Sequence, residues 1–140
     1  MTTPQDIIAA CEAEWDAHKS DCSGFAKAVA SRFGVALTGL ANDIVDAIKT
    51  APWSPLGDGV AAAASAGTGA LVLAGMKGSD QTVPNPHGHL VVVVTGDLAH
   101  GLYPTAYWGQ LGGVGKKATT LNWAWREGDR DRLVYATIDV

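Results

Sequence analysis

A cysteine stands at the predicted start of a helix, within the run Asp21-Cys22-Ser23-Gly24-Phe25. The thiolate is the reactive form of cysteine, and a helix N-terminus stabilises negative charge through its unpaired N–H groups and its positive dipole end. The backbone N–H of Cys22, supported by the small Ser23, is therefore a natural donor to an oxyanion. Asp21 acts in the opposite direction, because its charge disfavours the thiolate, so a neighbouring imidazolium has to outweigh it. The run predicts a nucleophilic cysteine at position 22.

A histidine opens the most apolar stretch of the chain. Gly88 and His89 are followed by Leu90 and four consecutive valines. A strand that is apolar at every position is buried on both faces of its sheet, so its first residue is held rigidly. A cysteine activated by a histidine base is a general arrangement for acyl transfer. We therefore predict that Cys22 and His89 form a catalytic pair, with Gly88 beside the substrate.

Each residue of this pair also has a plain structural interpretation. A cysteine near a helix start is often inert, and a histidine before a strand often makes only hydrogen bonds at the surface. The presence of both motifs in one chain favours the catalytic interpretation. The cysteines and histidines show no ligand spacing such as C-x-x-C or H-x-x-x-H, so we expect no metal and no cofactor.

Length and composition indicate one globular domain over residues 1–140. Hydrophobic residues make up 47% of the chain and charged residues 17%, which is typical of a protein that folds around its own core. The net charge of −4 gives no sign of a nucleic-acid-binding surface, and no apolar run is long enough to span a bilayer. Residues 1–20 lack the apolar segment of a secretory signal. We expect a monomer that is made in the cytoplasm and has no nucleic-acid or membrane partner.

Helical patterns precede strand patterns along the chain. Apolar residues at helical spacing predict helices at 5–18, 22–33 and 39–50, with a shorter one at 60–66. Strands are predicted at 70–76, 89–95, 104–109 and 133–138. Residues 112–125 are predicted to be irregular, with a short helix near Leu121. This order indicates an α+β fold, with N-terminal helices packed on an antiparallel β-sheet.

The motifs resemble those of the NlpC-type cell-wall peptidases in the papain-like superfamily. Within that superfamily the chain resembles the first family of type VI secretion amidase effectors. The likeness runs over nearly the whole chain and is carried by the blocks 21–25, 73–78 and 88–93, by Tyr103-Pro104 with Trp108-Gly109, and by Trp125-Arg126 with 129–133 and Tyr135. The last two of these blocks, which follow the strand that begins with His89, are the ones that indicate the effector family within the superfamily.

The resemblance implies a fold, an activity and partners. It implies a papain-like NlpC-type fold in which Cys22 and His89 are the catalytic pair. The implied reaction is hydrolysis of the peptide stem of Gram-negative peptidoglycan, at the bond between γ-D-glutamate and meso-diaminopimelate. Such effectors are injected by the type VI secretion apparatus into the periplasm of a neighbouring cell, and kin are protected by a periplasmic immunity protein.

Two positions depart from the family pattern. The loop at 79–87 is longer than expected. The third catalytic position falls near Trp108, whose indole only donates hydrogen bonds and cannot orient His89 by accepting its N–H. We expect a backbone carbonyl at 105–110, or the side chain of Gln110, to take this role.

The sequence leaves several alternatives open. Tyr107, Trp108 and Gly109 either form the wall of a groove for the stem peptide or pack in the core. A housekeeping cell-wall endopeptidase normally has a signal peptide, and papain-like acyltransferases of permuted order place the histidine before the cysteine. A non-catalytic cell-wall binding module is the third alternative, and it predicts that Cys22→Ala leaves function intact.

Overall fold

The computed structural model describes all residues from 1 to 140. Its helices are α1 (Pro4–His18), α2 (Cys22–Ser31), α3 (Ala41–Ala47) and α4 (Gly59–Ala66). Its strands are β1 (Ser54–Leu56), β2 (Leu71–Met76), β3 (His89–Val93), β4 (Thr105–Trp108), β5 (Lys116–Thr120) and β6 (Val134–Ile138). Short 3-10 turns lie at Gly78–Asp80 and Leu121–Trp123. None of the four helices has both the length and the apolar character that crossing a bilayer requires.

All six strands belong to one antiparallel sheet, in the order β1-β6-β2-β3-β4-β5. β2 and β3 lie at its centre, and His89 at the start of β3 is paired with Met76 at the end of β2. β4 pairs with β3 only at Val92 and Val93. The first residues of β3 therefore have no strand partner on the β4 side.

Helices cover both faces of the sheet. The side chains of β3 alternate between two buried clusters, as the pleat of a strand requires. Leu90 and Val92 pack with α1, α2 and α3, whereas Val91 and Val93 pack with α4 and with Leu121. The predicted α+β fold, with N-terminal helices on an antiparallel sheet, is confirmed, and α4 adds a helix on the opposite face.

Local sequence signals explain how α2 reaches the sheet. Asp21 precedes the helix and caps it through its side chain, which is a favoured role for aspartate. Phe25 and Val29, one turn apart, are fully buried in the cluster that α2 shares with β3. Burial of such side chains contributes about 1.5–3 kcal/mol each. This packing holds the first residue of α2 against β3.

Most predicted elements are confirmed, with differences of a few residues at their ends. The sequence patterns miss two strands, β1 and β5. β1 has three residues, including Pro55, and β5 reads Lys-Lys-Ala-Thr-Thr with most residues exposed. Both strands lie at the outer edges of the sheet, so neither needs the apolar alternation by which a strand is recognised in sequence.

Candidate active site

Cys22 is the first residue of α2 and is only 5% exposed. Asp21 caps the helix: its carboxylate oxygen Oδ1 accepts hydrogen bonds from the Gly24 N–H at 3.0 Å and from the Ser23 hydroxyl at 3.1 Å. An aspartate at this position satisfies an N–H group that the helix itself leaves open. The cap therefore fixes the cysteine in the first turn, as the sequence predicts.

The thiol of Cys22 lies against the strand that begins with His89. Its Sγ is 4.0 Å from the backbone carbonyl oxygen of Gly88. The backbone N–H of Leu90 forms a further hydrogen bond with the sulfur. Cys22 thus contacts the backbone on both sides of His89, and the fold brings the two motifs together.

The start of α2 fills a gap beside β3. Val94 donates its N–H to the carbonyl of Thr105 at the start of β4, so the N–H groups of alternate residues along β3 point toward β4. Pairing with β4 ends at Val92, and the N–H of Leu90 meets the Cys22 thiol instead. The sulfur therefore lies at the edge of β3, where pairing with β4 stops.

The surroundings favour the protonated form of the Cys22 thiol. Burial removes the thiol from water and raises its pKa above the ordinary value of 9.0. The N–H of Leu90 acts in the opposite direction, as do the N–H groups of Ser23 and Cys22, while the charge of Asp21 raises the pKa further. Because the raising effects dominate, the thiol keeps its proton at neutral pH in this structure.

His89 is buried at the first position of β3 and is 7% exposed. Its imidazole packs edge to face on the indole of Trp125, with 5.0 Å between ring centroids. The Nε2 atom is buried and has no hydrogen-bond partner. Burial lowers the pKa of His89 to about 4, because the charged imidazolium loses its solvation. The ring is therefore neutral at pH 7 and able to accept a proton.

Two adjoining cavities open beside these residues. The cavity next to His89 has a volume of about 410 Å³, and the cavity next to Cys22 one of about 300 Å³. His87, Gly88 and Leu111 line both cavities, so the two form one trough. The His89 cavity is otherwise lined by Gln81, Asn85, Gln110, Trp123, Ala124, Trp125, Arg126 and Asp129. The Cys22 cavity is otherwise lined by Asp21, Ser23, Leu40, Ala41, Asn42, Asp43 and Pro86.

The loop between β2 and β3 forms an outer wall of the trough and is held at two points. At the first point, the Asn42 side chain accepts a hydrogen bond from the Gly78 N–H at 2.9 Å and donates one to the Pro86 carbonyl at 3.0 Å. At the second, Asp129 accepts hydrogen bonds from the N–H and the hydroxyl of Thr82. The segment that departs from the family pattern in sequence is therefore tied to α3 and to the chain before β6.

Three residues predicted for the substrate groove lie outside both cavities. Tyr107 is buried in the cluster beneath α1 and α2, and Trp108 is buried on the opposite face of the sheet. Gly109 packs on the backbone of His18 and Asp21, where an added Cβ would lie 2.2 Å from a carbonyl oxygen. The structure supports their alternative interpretation as packing residues, because β4 runs through the core and Gly109, directly after it, packs against the segment before α2.

The residues predicted to support Cys22 and His89 all line the cavities, but none of them makes a hydrogen bond to the imidazole. Gly88 lines both cavities, and Ser23 lines the one that contains Cys22. Gln110 lines the His89 cavity, but no hydrogen bond joins its side chain to His89. No backbone carbonyl of 105–110 reaches the buried Nε2 of His89 either. Instead, the indole of Trp125 covers the ring.

Sequence reasoning did not place Trp125 at the site. Trp125 and Arg126 follow a 3-10 turn in a segment without helical or strand periodicity, so no pattern indicated which way their side chains face. The available signal was the frequency of tryptophan, five residues in a chain of 140. Large aromatic side chains contribute much of the buried area in cores and at interfaces, but their number does not show which of them lies at a site.

The second cysteine takes no part in the site. Cys11 and Cys22 are both free thiols. Cys11 lies within α1, is fully buried in the core, and burial raises the pKa of its thiol. No group of three or more His, Cys, Asp or Glu side chains is arranged to hold a metal ion.

Fold and site together define an α+β protein with a cysteine at a helix start, held against a strand that begins with histidine. No protein-family model matches the chain. The peptidoglycan amidase Tse1 of Pseudomonas aeruginosa is 37% identical over 142 aligned positions, covering 94% of this chain and 88% of that protein. The chain belongs to the family of type VI secretion amidase effectors, which confirms the resemblance seen in its motifs.

Proposed function

We propose that this protein hydrolyses an amide bond in the peptide stem of peptidoglycan, with Cys22 as the nucleophile and His89 as its base. The observation that carries the proposal is the contact of the Cys22 thiol with the backbone on both sides of His89, at the junction of two cavities. Similarity over 94% of the chain to a protein named as a peptidoglycan amidase supports the substrate class.

The reaction begins from a neutral thiol and a neutral imidazole. His89 takes the thiol proton as the sulfur attacks the amide carbonyl carbon, and the carbonyl oxygen becomes an oxyanion. The Nε2 atom of His89 is buried without a partner, which leaves Nδ1 as the nitrogen that exchanges the proton. The N–H groups of Cys22 and Ser23 at the start of α2 donate hydrogen bonds to the oxyanion.

Collapse of this intermediate breaks the carbon–nitrogen bond. The imidazolium of His89 gives its proton to the leaving amine, and the acyl group stays on the sulfur as a thioester. Water then attacks the thioester carbon while His89 accepts a proton from the water. The carbon–sulfur bond breaks, His89 returns that proton to the sulfur, and the carboxylic acid is released. Each half-reaction returns His89 to its neutral form, which is the form that burial favours by lowering its pKa to about 4.

Membership of the family supports finer proposals about the bond, the delivery and the partners. We infer that the bond cleaved joins γ-D-glutamate to meso-diaminopimelate. We infer further that the protein is delivered by the type VI secretion apparatus to the periplasm of a Gram-negative recipient, and is inhibited in kin by a periplasmic immunity protein. The catalytic domain spans 1–140, acts as a monomer and uses no metal or cofactor.

Digestion of purified Gram-negative peptidoglycan tests the proposal, with soluble fragments identified by mass spectrometry. Cys22→Ala is expected to lower the rate by at least about 1,000-fold. His89→Asn is expected to lower it by about 100- to 10,000-fold, the usual contribution of a general base.

Two matched variants serve as controls. Cys11→Ala removes the other thiol, and His100→Asn removes a histidine outside both cavities at a positive φ of 54°, which asparagine tolerates. Both are expected to retain activity. Equal activity of the Cys22 variant and the wild type would favour a non-catalytic binding module, and transfer of the acyl group to an added amine in preference to water would favour an acyltransferase. Fragments cut at another bond would correct the assignment of the bond alone.

A further inference from the structure

The cavity beside His89 contains one guanidinium group that is not used within the protein. Arg126 lines this cavity and its side chain is exposed. No carboxylate oxygen lies within 4.0 Å of its guanidinium nitrogens, whereas Arg32 and Arg132 are both paired with acidic side chains. Arginine is well suited to bind a carboxylate because its planar N–H groups match both oxygens.

The one acidic residue in the same cavity is already engaged. Asp129 is only 1% exposed. Its Oδ1 accepts hydrogen bonds from the N–H of Thr82 at 2.8 Å, from the Thr82 hydroxyl at 2.7 Å and from Arg132 at 2.8 Å. Because Arg132 and these donors compensate its charge, Asp129 does not neutralise Arg126. Arg126 therefore keeps an unpaired positive charge in a cavity whose one acidic lining residue is already paired.

The chemistry of the pair determines which half of a peptide lies over this cavity. Cys22 lines one cavity and holds the acyl group, while His89 lines the other and protonates the leaving amine. The amine half of the substrate therefore extends over the cavity that contains Arg126. Next to it, Trp123 is 74% exposed and Leu111 is 53% exposed, so an aliphatic chain has an apolar surface on which to lie.

We propose that Arg126 is a specificity-determining residue that binds a free carboxylate on the leaving-amine half of the substrate. The proposal rests on the proposed function, because it uses the direction in which the peptide crosses the pair. A substrate that combines an aliphatic side chain with a terminal carboxylate, as an acidic diamino acid does, matches both the apolar surface and the guanidinium. An amidated counterpart of the same shape lacks the anionic partner.

The test uses two synthetic stem peptides that differ at one group. In the first, the leaving half carries a free carboxylate; in the second, all carboxylates of that half are amides. The values of kcat/KM are measured for the wild type, Arg126→Gln, Arg126→Lys and Lys116→Gln. Lys116 is an exposed cation on β5 outside both cavities, so its variant controls for the loss of one positive charge.

The wild type is expected to prefer the carboxylate peptide by about 10-fold, the usual effect of a hydrogen bond to a charged group. Arg126→Gln is expected to lose this preference by reacting more slowly with the carboxylate peptide only, mainly through KM. Arg126→Lys is expected to keep part of the preference, and Lys116→Gln all of it. Binding of both peptides to Cys22→Ala, with and without Arg126→Gln, gives the same comparison without turnover.

Two results would overturn the proposal about Arg126 alone: no preference in an active wild type, or an equal loss on both peptides in Arg126→Gln. Absence of cleavage and of binding with either peptide would overturn the proposed function as well. Because the Arg126 side chain makes no ion pair in the protein, its replacement is expected to leave the far-ultraviolet circular dichroism spectrum unchanged.

Discussion

The imidazole of His89 packs edge to face on the indole of Trp125, with the ring planes inclined by 61°. The buried Nε2 of His89 has no hydrogen-bond partner, so the ring is held by packing and by its place at the start of β3. Burial keeps the imidazole neutral, because it lowers the pKa to about 4. Neither Gln110 nor a backbone carbonyl of 105–110, the groups expected to orient the histidine, makes a hydrogen bond to this Nε2 atom.

Removal of the Trp125 indole is expected to raise the pKa of His89 toward its ordinary value. In Trp125→Ala, water reaches the imidazole, so its pKa rises from about 4 toward 6.5. Trp125→Phe keeps an aromatic cover and is expected to retain most of the shift. Titration of the histidine ring protons by nuclear magnetic resonance measures both variants. An unchanged His89 pKa in Trp125→Ala would mean that other groups bury the ring.

The free energy of unfolding is expected to fall on acidification, because the pKa of His89 differs between the folded and the unfolded protein. The pKa is about 4 in the folded protein against an ordinary 6.5, so between these values the unfolded chain binds the proton and the folded chain does not. The free energy of unfolding therefore decreases from about pH 6.5 down to about pH 4 and is constant for this group below that. The full effect is about 3 kcal/mol.

Urea unfolding at pH 7 and at pH 4.5 measures this dependence. His89→Asn removes the titrating group, so its unfolding free energy is expected to change less between the two pH values than that of the wild type. The difference between the two proteins isolates His89 from the carboxylates, which titrate in both. An equal loss in wild type and variant would contradict a buried neutral imidazole.

The two cysteines are expected to differ in their rates of alkylation. The Cys22 thiol adjoins a cavity and its pKa is raised, so its reaction with iodoacetamide is slow at pH 7 and accelerates as the pH rises above 9. Cys11 is fully buried and is expected to react only on unfolding. Intact-protein mass spectrometry with peptide mapping follows each site. A rate for Cys22 that is already maximal at pH 6 would indicate a resting thiolate–imidazolium pair.

Replacement of Asp21 is expected to separate its charge from its capping role. Asp21→Asn keeps a side-chain oxygen that accepts the Gly24 N–H but removes the charge that raises the pKa of Cys22. Alkylation of Cys22 at pH 7 is expected to be faster in this variant, with little change in stability. Asp21→Ala also removes the cap and is expected to cost about 1 kcal/mol. If Asp21→Asn and the wild type are alkylated equally fast, the charge has no effect on the thiol.

The sequence by itself determined the local parts of the site. A polar residue able to cap a helix, Ser20 or Asp21, followed by an apolar helical face places Cys22 in the first turn of α2, because capping and periodicity are properties of neighbouring residues. The apolar run after His89 identifies β3 as a central strand, since only a strand covered on both faces is apolar throughout. The order of helices and strands likewise indicated the α+β class.

Only the tertiary structure decided how these parts meet. The thiol reaches β3 because pairing with β4 stops at Val92 and leaves an edge for α2 to occupy, which no local pattern encodes. Tyr107 and Trp108 are buried on opposite faces of the sheet, and Trp125 returns to cover His89 from a segment without periodicity. Strand pairing and burial are relations between residues far apart in the chain, so their physical cause lies in the packed fold.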